Sequence, residues 1–223
     1  LLDGVGACRD GSDGMHPKAA GQVVQYVSAH DNFTLWDKLK AVAGRDDFDR
    51  PDEDLLAQNR LCAAIYLTCQ GLPFLQAGEE FARTKNGDPN TYRGPLSLNR
   101  LDWTRAAALA PLVQFYRGLL AIRRAWPELS ALSDPDQPLP LLLALPGWLV
   151  GFVPERTGES QAARLAVYYN PDPIPHSVVL PAGRWRTLCD GVRADALPFG
   201  PVYSGEYRLP PVSAAILAAV PGD

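Results

Sequence analysis

The chain has 223 residues, 47% of them hydrophobic and 21% charged, as in globular proteins of one large or two small domains. Its formal net charge is only -4, with acids and bases interspersed, which argues against a nucleic-acid partner. No apolar run approaches the roughly 18 residues of a membrane-spanning helix, so no membrane partner is expected. The four cysteines are scattered without a CxxC pair and are expected to be buried free thiols.

The first half of the chain alternates predicted strands and helices. Residues 23–28 (VVQYVS) form a short apolar run that predicts a buried strand, and residues 36–42 predict a short helix. Apolar residues at helical spacing over 55–70 predict a longer helix, with Asp52 as its N-cap. Residues 73–77 (PFLQA) predict a second buried strand. Strand, helix and strand in this order indicate a βαβ unit, and therefore a parallel sheet.

A long segment of little periodicity, residues 78–102, follows the second predicted strand. Loops of this length in compact proteins are usually functional or disordered. Asp102 is predicted to cap the helical region that follows, and Trp103 to pack against the protein rather than bind a ligand. Helical spacing returns over 112–126, and Pro127 ends that helix.

The character of the sequence changes at about residue 130. Prolines and aspartates over 133–140 are typical of a linker, which we place at 130–140. Short alternating runs separated by turn residues then predict a small antiparallel β-sandwich over 141–223. The predicted strands are residues 149–153, 165–169, 177–180, 185–188 and 214–219. Aromatic residues in this region could stack on sugars, but strands usually bury them, so we expect them in the core: Trp148, Tyr168, Tyr169 and Trp185.

The strongest candidate for chemistry is the run His30, Asp31 and Asn32, directly after the first predicted strand. In parallel α/β barrels, functional side chains lie at the C-terminal ends of strands. An imidazole, a carboxylate and an amide could converge there on sugar hydroxyl groups. From spacing alone, however, a loop in which the Asp and Asn form an Asx turn is the favoured interpretation.

Longer segments around this run resemble type I pullulanases of the α-amylase superfamily. Residues 26–39 (YVSAHDNFTLWDKL) are similar to the family's strand-seven segment, and residues 71–84 (GLPFLQAGEEFART) to its strand-eight segment and following turn. Residues 90–92 (NTY) and 99–103 (NRLDW) stand where the family has matching signatures, in the same order and spacing. The resemblance is close over about 21–128 and looser beyond, where phrases such as VYYNPD still match.

The resemblance implies the C-terminal portion of such an enzyme, with a fold that combines an α/β part and an all-β part. Residues 1–129 would be the last strands and helices of a (β/α)8 TIM barrel. Residues 130–140 would be the linker, and residues 141–223 the C-terminal antiparallel β-sandwich.

The resemblance also implies roles for the run after the first strand. Asp31 corresponds to the family's third carboxylate, which stabilises the transition state by holding ring hydroxyls as the sugar approaches an oxocarbenium ion. His30 would bind a neighbouring hydroxyl and help to orient Asp31. Asn32 would line the branch-point side of the cleft.

The segment after the second strand adds further candidate substrate contacts by resemblance. These are Asp88, Asn90 and Tyr92. Arg83 is another candidate, although it could simply be an exposed ion-pair partner of a neighbouring glutamate. The chain departs from the family at Leu96, where an acidic residue is common, and this weakens the transfer of contacts from the middle of the loop.

A retaining glycosidase also needs a nucleophile and an acid/base, about 5–5.5 Å apart. In the family they come from strands four and five, upstream of strand seven, so we expect both to be absent here and the chain alone to be inactive. Glu79 and Glu80 are not expected to replace them, because adjacent residues in extended chain point to opposite sides. We expect this pair to close the barrel through ion pairing.

The hypothesis is therefore part of a retaining glycoside hydrolase that cleaves α-1,6-glucosidic linkages in pullulan and branched α-glucans. An isoamylase-like or glycogen-debranching enzyme is the nearer alternative, and a non-catalytic carbohydrate-binding or structural fragment the alternative of another class. The expected partners are α-glucan polysaccharide and, through open barrel edges, further copies of the chain. No cofactor is expected. No metal-ligand spacing appears, and His16 and His176 are expected to be exposed loop residues.

Overall fold

A computed structural model describes residues 2–11, 14, 16–132, 136–155 and 164–220. The helices are α1 (Leu2–Val5), α2 (Leu35–Val42), α3 (Glu53–Thr68), α4 (Leu96–Asn99), α5 (Trp103–Ala108) and α6 (Ala110–Ala125). The strands are β1 (Val24–Gln25), β2 (Leu72–Pro73), β3 (Leu141–Leu142), β4 (Val150–Val153), β5 (Leu165–Asn170), β6 (His176–Val179), β7 (Arg184–Cys189), β8 (Ala194–Tyr203), β9 (Glu206–Leu209) and β10 (Ser213–Val220). Within these residues, no helix has both the length and the apolar character needed to cross a bilayer.

The two strands of the first half pair in parallel, as the βαβ pattern predicts. Val24 lies opposite Leu72, and the connecting segment contains α2 and α3. Each strand is only two residues long, however, and Val24 and Tyr26 are 51% and 58% exposed. The prediction of two longer buried strands is therefore wrong. In the described chain each of these strands pairs on one side only, so its apolar side chains have little to pack against.

Polar side chains start the helices at the positions that the sequence indicates. The Asp52 carboxylate accepts hydrogen bonds from the amides of Asp54 at 3.1 Å and Leu55 at 3.3 Å, which confirms it as the N-cap of α3. Asp102 caps α5 in the same way, accepting from the amide of Thr104 at 2.9 Å. The α2 helix begins at a Thr34 cap that the sequence analysis missed.

The second half of the chain is built on a six-stranded antiparallel sheet of order β3-β4-β5-β10-β7-β8. Alternation along β5 gives this sheet two apolar faces. Leu165, Val167 and Tyr169 point into a core shared with the helices, whereas Ala166 and Tyr168 point into a second core. The antiparallel β6-β9 pair contributes to this second core through Val178, Tyr207 and Leu209. The prediction of antiparallel strands in this region is confirmed.

The first core runs from the helices into the sheet. It contains Leu67 of α3, Phe115 and Leu119 of α6, and Ile216 of β10. Helix α6 approaches β8 so closely that a Cβ atom on Gly118 would lie 1.9 Å from the carbonyl oxygen of Ala194. The division into a barrel part and a sandwich part at 130–140 stays a prediction. Residues 133–135 of the predicted linker, and 156–163 and 221–223 of the last predicted domain, lie outside the described residues.

Most of the predicted core aromatics are buried, with one exception. Tyr168, Tyr169 and Trp185 are at most 1% exposed, which confirms their assignment. Trp148 is 80% exposed, so its assignment to the core is wrong. It lies in the turn before β4, next to Gly147 with φ at 62°, and the alternation that buries side chains begins only with the strand.

All four cysteines are free thiols, as expected. Cys8, Cys69 and Cys189 are buried, whereas Cys62 is only half-buried. Burial raises the pKa of the Cys62 thiol to about 11, and that of Cys189 to about 12. These side chains therefore behave as core residues rather than as reactive thiolates.

Candidate functional site

The predicted run of polar residues lies in the loop after β1. The side chains of His30 and Asp31 are 88% and 79% exposed, and the His30 Nε2 and Asp31 Oδ2 atoms are 3.4 Å apart. Both groups are therefore open to a ligand. A carboxylate held this way can accept hydrogen bonds from hydroxyl groups, and the imidazole beside it can donate or accept.

Asn32 adopts a left-handed backbone conformation, with φ at 61°. Its side chain is exposed, and its carbonyl oxygen accepts a hydrogen bond from the Nζ atom of Lys85 at 2.6 Å. Lys85 lies in the segment after β2, so this bond joins the two loops that carry all the predicted site residues. The sequence analysis missed Lys85, because a lysine in a polar loop is normally solvated.

The base of the second loop is fixed to α2 through Asp37, which is fully buried. One carboxylate oxygen of Asp37 accepts the backbone amide of Lys85 at 2.7 Å, and the other accepts the hydroxyl of Thr84. Burial lowers the pKa of the Lys85 ammonium, and the negative charge of Asp37 opposes that change. The Asp37 carboxylate thus holds the backbone of this part of the second loop, and the Lys85 ammonium links it to Asn32 of the first loop.

The substrate contacts predicted in the second loop have exposed side chains. Asp88 accepts the backbone amide of Asn90 at 2.8 Å, and the guanidinium of Arg93 lies 5.0 Å from the centre of the Tyr92 ring. The charges of Asp88 and Asp31 both favour the charged form of the Lys85 ammonium, and so they oppose the lowering of its pKa by burial. Among the described residues, no hydrogen bond joins residues 30–32 to Asn90 or Tyr92.

The signatures at 90–92 and 99–103 hold each other through side chains. The Asn99 Oδ1 atom accepts the Thr91 hydroxyl at 2.8 Å, and its Nδ2 atom donates to the Thr91 carbonyl at 2.9 Å. Arg83 donates to the Asn99 carbonyl at 2.6 Å and to the Ala77 carbonyl at 3.3 Å. The interpretation of Arg83 as an exposed partner of a glutamate is therefore wrong, because its guanidinium binds backbone carbonyls.

The buried carboxylate of Glu79 is bound by hydroxyl groups rather than by a cation. Its carboxylate accepts hydrogen bonds from Ser28 at 2.6 Å, Tyr66 at 2.8 Å and Tyr116 at 3.2 Å. Burial raises the pKa of Glu79, and these hydrogen bonds partly oppose the shift. Glu80 instead accepts the backbone amide of Gly78 at 2.9 Å. The expected ion pairing is wrong, since hydroxyl donors satisfy a buried carboxylate without burying a second charge.

The expectation that Trp103 packs against the protein is wrong for most of its surface. Its ring lies 6.0 Å from that of Phe81, and most of its surface remains exposed. A cavity of about 530 Å³ is lined mainly by the second loop itself, including Phe81, Arg83 and Asp102, together with Arg105 of α5. Asp102 caps α5, and Arg83 and Arg105 donate to backbone carbonyls.

The remaining histidines and possible metal ligands add no second site. His16 is exposed, as expected. His176 is only partly exposed and lies on β6, with its Nε2 atom 2.8 Å from Asp172 Oδ2, so its assignment to an exposed loop is wrong. Among the residues that the structure describes, no group of three or more histidines, cysteines or acidic residues could hold a metal ion.

Comparison with known proteins identifies sequences and structures that are similar to this chain. No family model matches the chain. A pullulanase from Bacillus subtilis is 38% identical over 115 residues, which cover 52% of this chain and 16% of that protein. The pullulanase structure from Bacillus acidopullulyticus superposes with a TM-score of 0.84 at 27% identity, over 97% of this chain and 26% of that chain. The Paenibacillus barengoltzii pullulanase, solved with maltohexaose and α-cyclodextrin, gives a TM-score of 0.78 at 32% identity, over 99% of this chain and 33% of that chain.

The chain thus spans between 16% and 33% of the length of these three relatives, while nearly all of it superposes on the two structures. The agreement covers the helices and the antiparallel sheet as well as the loops of the site. The resemblance identified from the sequence is confirmed: this chain is a relative of the pullulanases that corresponds to part of their length.

Proposed function

We propose that the chain forms part of a retaining glycoside hydrolase that cleaves α-1,6-glucosidic linkages in pullulan and branched α-glucans. One observation carries this proposal: an exposed carboxylate, Asp31, follows a parallel strand in a chain that superposes almost entirely on pullulanases. The complex of the Paenibacillus barengoltzii enzyme with maltohexaose supports an α-glucan as the ligand.

In this proposal β1 and β2 are the last two strands of a (β/α)8 barrel, and residues 1–129 belong to that domain. The parallel register of Val24 with Leu72 and the helices after each strand support the assignment. Residues 141–223 form the C-terminal β-sandwich, supported by the β6-β9 pair packed against the six-stranded sheet. The segment at 130–140 joins the two domains.

Asp31 acts in this site as the transition-state stabiliser. Its carboxylate holds ring hydroxyls as positive charge develops at the anomeric carbon, and such hydrogen bonds strengthen in the transition state. His30, within 3.4 Å of Asp31, binds an adjacent hydroxyl and orients the carboxylate. Asn32 lines the branch-point side of the cleft.

The second loop supplies the remaining substrate contacts. Asp88 and Asn90 carry acceptors and donors for hydroxyl groups on exposed side chains. The exposed Tyr92 ring can stack on a sugar, with Arg93 at its face. The link between Lys85 and Asn32 keeps these contacts and Asp31 on one assembled surface.

The nucleophile and the acid/base come from other barrel strands, so the isolated chain does not hydrolyse pullulan. The test compares purified residues 1–223 with the protein expressed from its complete reading frame, using reducing-sugar release from pullulan. We expect release by the complete protein and none by the isolated chain. Robust turnover by residues 1–223 would contradict the assignment of the two missing groups.

Product analysis separates the proposed activity from the other debranching classes. We expect the complete protein to cut pullulan to maltotriose units, because pullulan carries regularly spaced α-1,6 linkages. An isoamylase-like or glycogen-debranching enzyme would act on glycogen and leave pullulan intact. Binding of α-glucan without cleavage of either polymer would instead indicate the non-catalytic alternative.

A further inference from the structure

We propose that Lys85 is a positioning residue for Asp31. The inference rests on the proposed function, because it assigns Lys85 to the same glucan site. The Lys85 side chain is only 2% exposed, and its ammonium donates to the Asn32 carbonyl at 2.6 Å. Since Asn32 directly follows Asp31, this bond fixes the backbone immediately beyond the stabilising carboxylate.

The backbone that Lys85 holds is one that needs support. Asn32 has φ at 61°, a left-handed conformation that few residues other than glycine adopt. Asparagine tolerates this region better than most residues, but such a conformation persists only where surrounding contacts determine it. The charged hydrogen bond from Lys85 is a contact of this kind, and it is stronger than a bond between neutral groups.

The electrostatic surroundings of Lys85 connect it to the substrate residues. Burial disfavours its charged form, whereas the carboxylates of Asp37, Asp88 and Asp31 favour it and the cation Arg83 opposes them. The buried ammonium thus lies within the field of both exposed carboxylates of the site. The Lys85 ammonium thus places a buried positive charge near Asp31 and Asp88, the two carboxylates proposed to bind a neutral polysaccharide.

The backbone of residues 84–85 has hydrogen bonds that do not involve the ammonium. The backbone amide of Lys85 and the hydroxyl of Thr84 bind the Asp37 carboxylate whatever side chain follows. The described hydrogen bond of the ammonium goes to the other loop. Removing the charge should therefore release Asn32 and leave residues 84–85 in place.

The test on the chain itself uses Lys85→Met, which preserves length and removes the donor. Lys38→Met is the matched control, because Lys38 is exposed and its Nζ atom lies 3.5 Å from a backbone carbonyl, that of Val27. The chain has three histidines, so the ring resonances of His30 can be followed by NMR with His16 and His176 as internal references. We expect Lys85→Met to shift or broaden the His30 signals alone, Lys38→Met to change none, and Lys85→Arg to restore the native signals in part.

The test on the complete protein is the rate of pullulan cleavage. A small misplacement of a catalytic group costs up to about 100-fold in rate, so we expect Lys85→Met to lower kcat by about 10- to 100-fold with a smaller change in KM. If Lys85→Met does not fold, Lys85→Gln keeps a polar side chain but is too short to reach Asn32, and it is measured in the same way.

Two results would overturn the positioning role. One is an unchanged His30 signal in folded Lys85→Met or Lys85→Gln. The other is a loss of kcat in which Lys38→Met shares equally. If the complete protein cleaves no α-glucan, the proposed function fails, while the His30 resonances still decide whether Lys85 holds the loop.

Discussion

The antiparallel sheet and the parallel strand pair differ in how much of their own surface the chain buries. β5 pairs with a neighbour on each side, and all six of its residues are buried between the helices and the β6-β9 pair. β1 and β2 pair only with each other. Next to them, the rings of Tyr26 and Phe74 meet edge to face, 6.1 Å apart, and both remain exposed.

The proposed site therefore lies beside the parallel β1-β2 pair, the region that buries less of its own surface. Its loops are held by a few polar contacts to the helices and to each other, namely those of Asp37, Glu79 and Lys85. Apolar burial is spread over many residues, so it tolerates single changes better than a buried polar contact does. Single substitutions at these polar contacts should therefore affect the fold more than single substitutions in the apolar cores.

The largest expected effect on stability is at Arg123 of α6. This helix packs against β8 of the sheet, and Arg123 links it to the segment beside β2, so that the two regions are joined. Its buried guanidinium donates to the carbonyls of Leu67 and Cys69 at the end of α3, and to that of Gly71 beside β2 at 2.6 Å. Arg123→Met would leave these acceptors without a partner, so we expect it to lower the free energy of unfolding by about 3 kcal/mol. Urea unfolding measures the change.

The neighbouring Arg124 is exposed and supplies the control for that experiment. Arg124→Met should change the free energy of unfolding by less than about 0.5 kcal/mol. Equal losses in the two variants would show that Arg123 does not join the regions.

A smaller loss is expected where α6 meets the antiparallel sheet. Gly118→Ala places a methyl group 1.9 Å from the Ala194 carbonyl oxygen, so the helix must move away from β8. Overpacking of this kind costs about 1–3 kcal/mol. Gly4→Ala in α1, with no heavy atom within 4 Å of the added group, should cost nothing in the same urea unfolding experiment. A Gly118→Ala variant with the wild-type midpoint would mean that the contact is loose.

The Glu79 cluster gives a pH-dependent effect. Burial raises the pKa of Glu79 in the folded state above its ordinary value of 4.5. Its contribution to stability is therefore fully present below about pH 4.5 and lost as the pH rises through the folded-state pKa. We expect the free energy of unfolding of the wild type, relative to Glu79→Gln, to fall as the pH rises above about 4.5. A relative stability that rises over this range would contradict the sign, and Glu206→Gln, at an exposed residue of β9, measures the background.

The smallest effect on stability is expected at the open edge. Replacing both Tyr26 and Phe74 by serine removes exposed apolar rings, so we expect less than about 1 kcal/mol of change in unfolding. The same change should reduce self-association of the isolated chain, because unpaired strand edges with apolar side chains are adhesive. Sedimentation of the wild type and the double variant measures this. A wild type that stays monomeric at high concentration would remove the proposal of association through this edge.

The same contrast explains which parts of the fold could be predicted from the sequence. The long helices were predictable, because their periodicity and the caps Asp52 and Asp102 are local features. The central strands β5 and β10 were predictable because both of their faces are apolar, and β7 because arginines and buried residues alternate at its start. β8 and β9 were missed, since Pro198 and Pro201 and many exposed side chains hide the alternation of an edge strand.

The candidate site divides in the same way. Residues 30–32 stand out because these three polar residues come after the apolar run at 23–28. The sequence segments around them also resemble a known family. Lys85 and the partners of Glu79 could not be predicted, because their contacts join residues 13 to 53 positions apart in the chain. The apolar run alone predicts a buried Val24, whereas its exposure agrees with the open barrel edges that the resemblance implies.

The proposed function depends most on Asp31, and the substitution Asp31→Asn tests the role of this residue directly. In the protein expressed from its complete reading frame, we expect Asp31→Asn to lower the rate of pullulan hydrolysis by on the order of 10³-fold without changing thermal stability. The exposed loop residue Asp46 supplies the control, and Asp46→Asn should keep the wild-type rate. An Asp31→Asn enzyme that cleaves pullulan as fast as the wild type would contradict the proposed role of this chain.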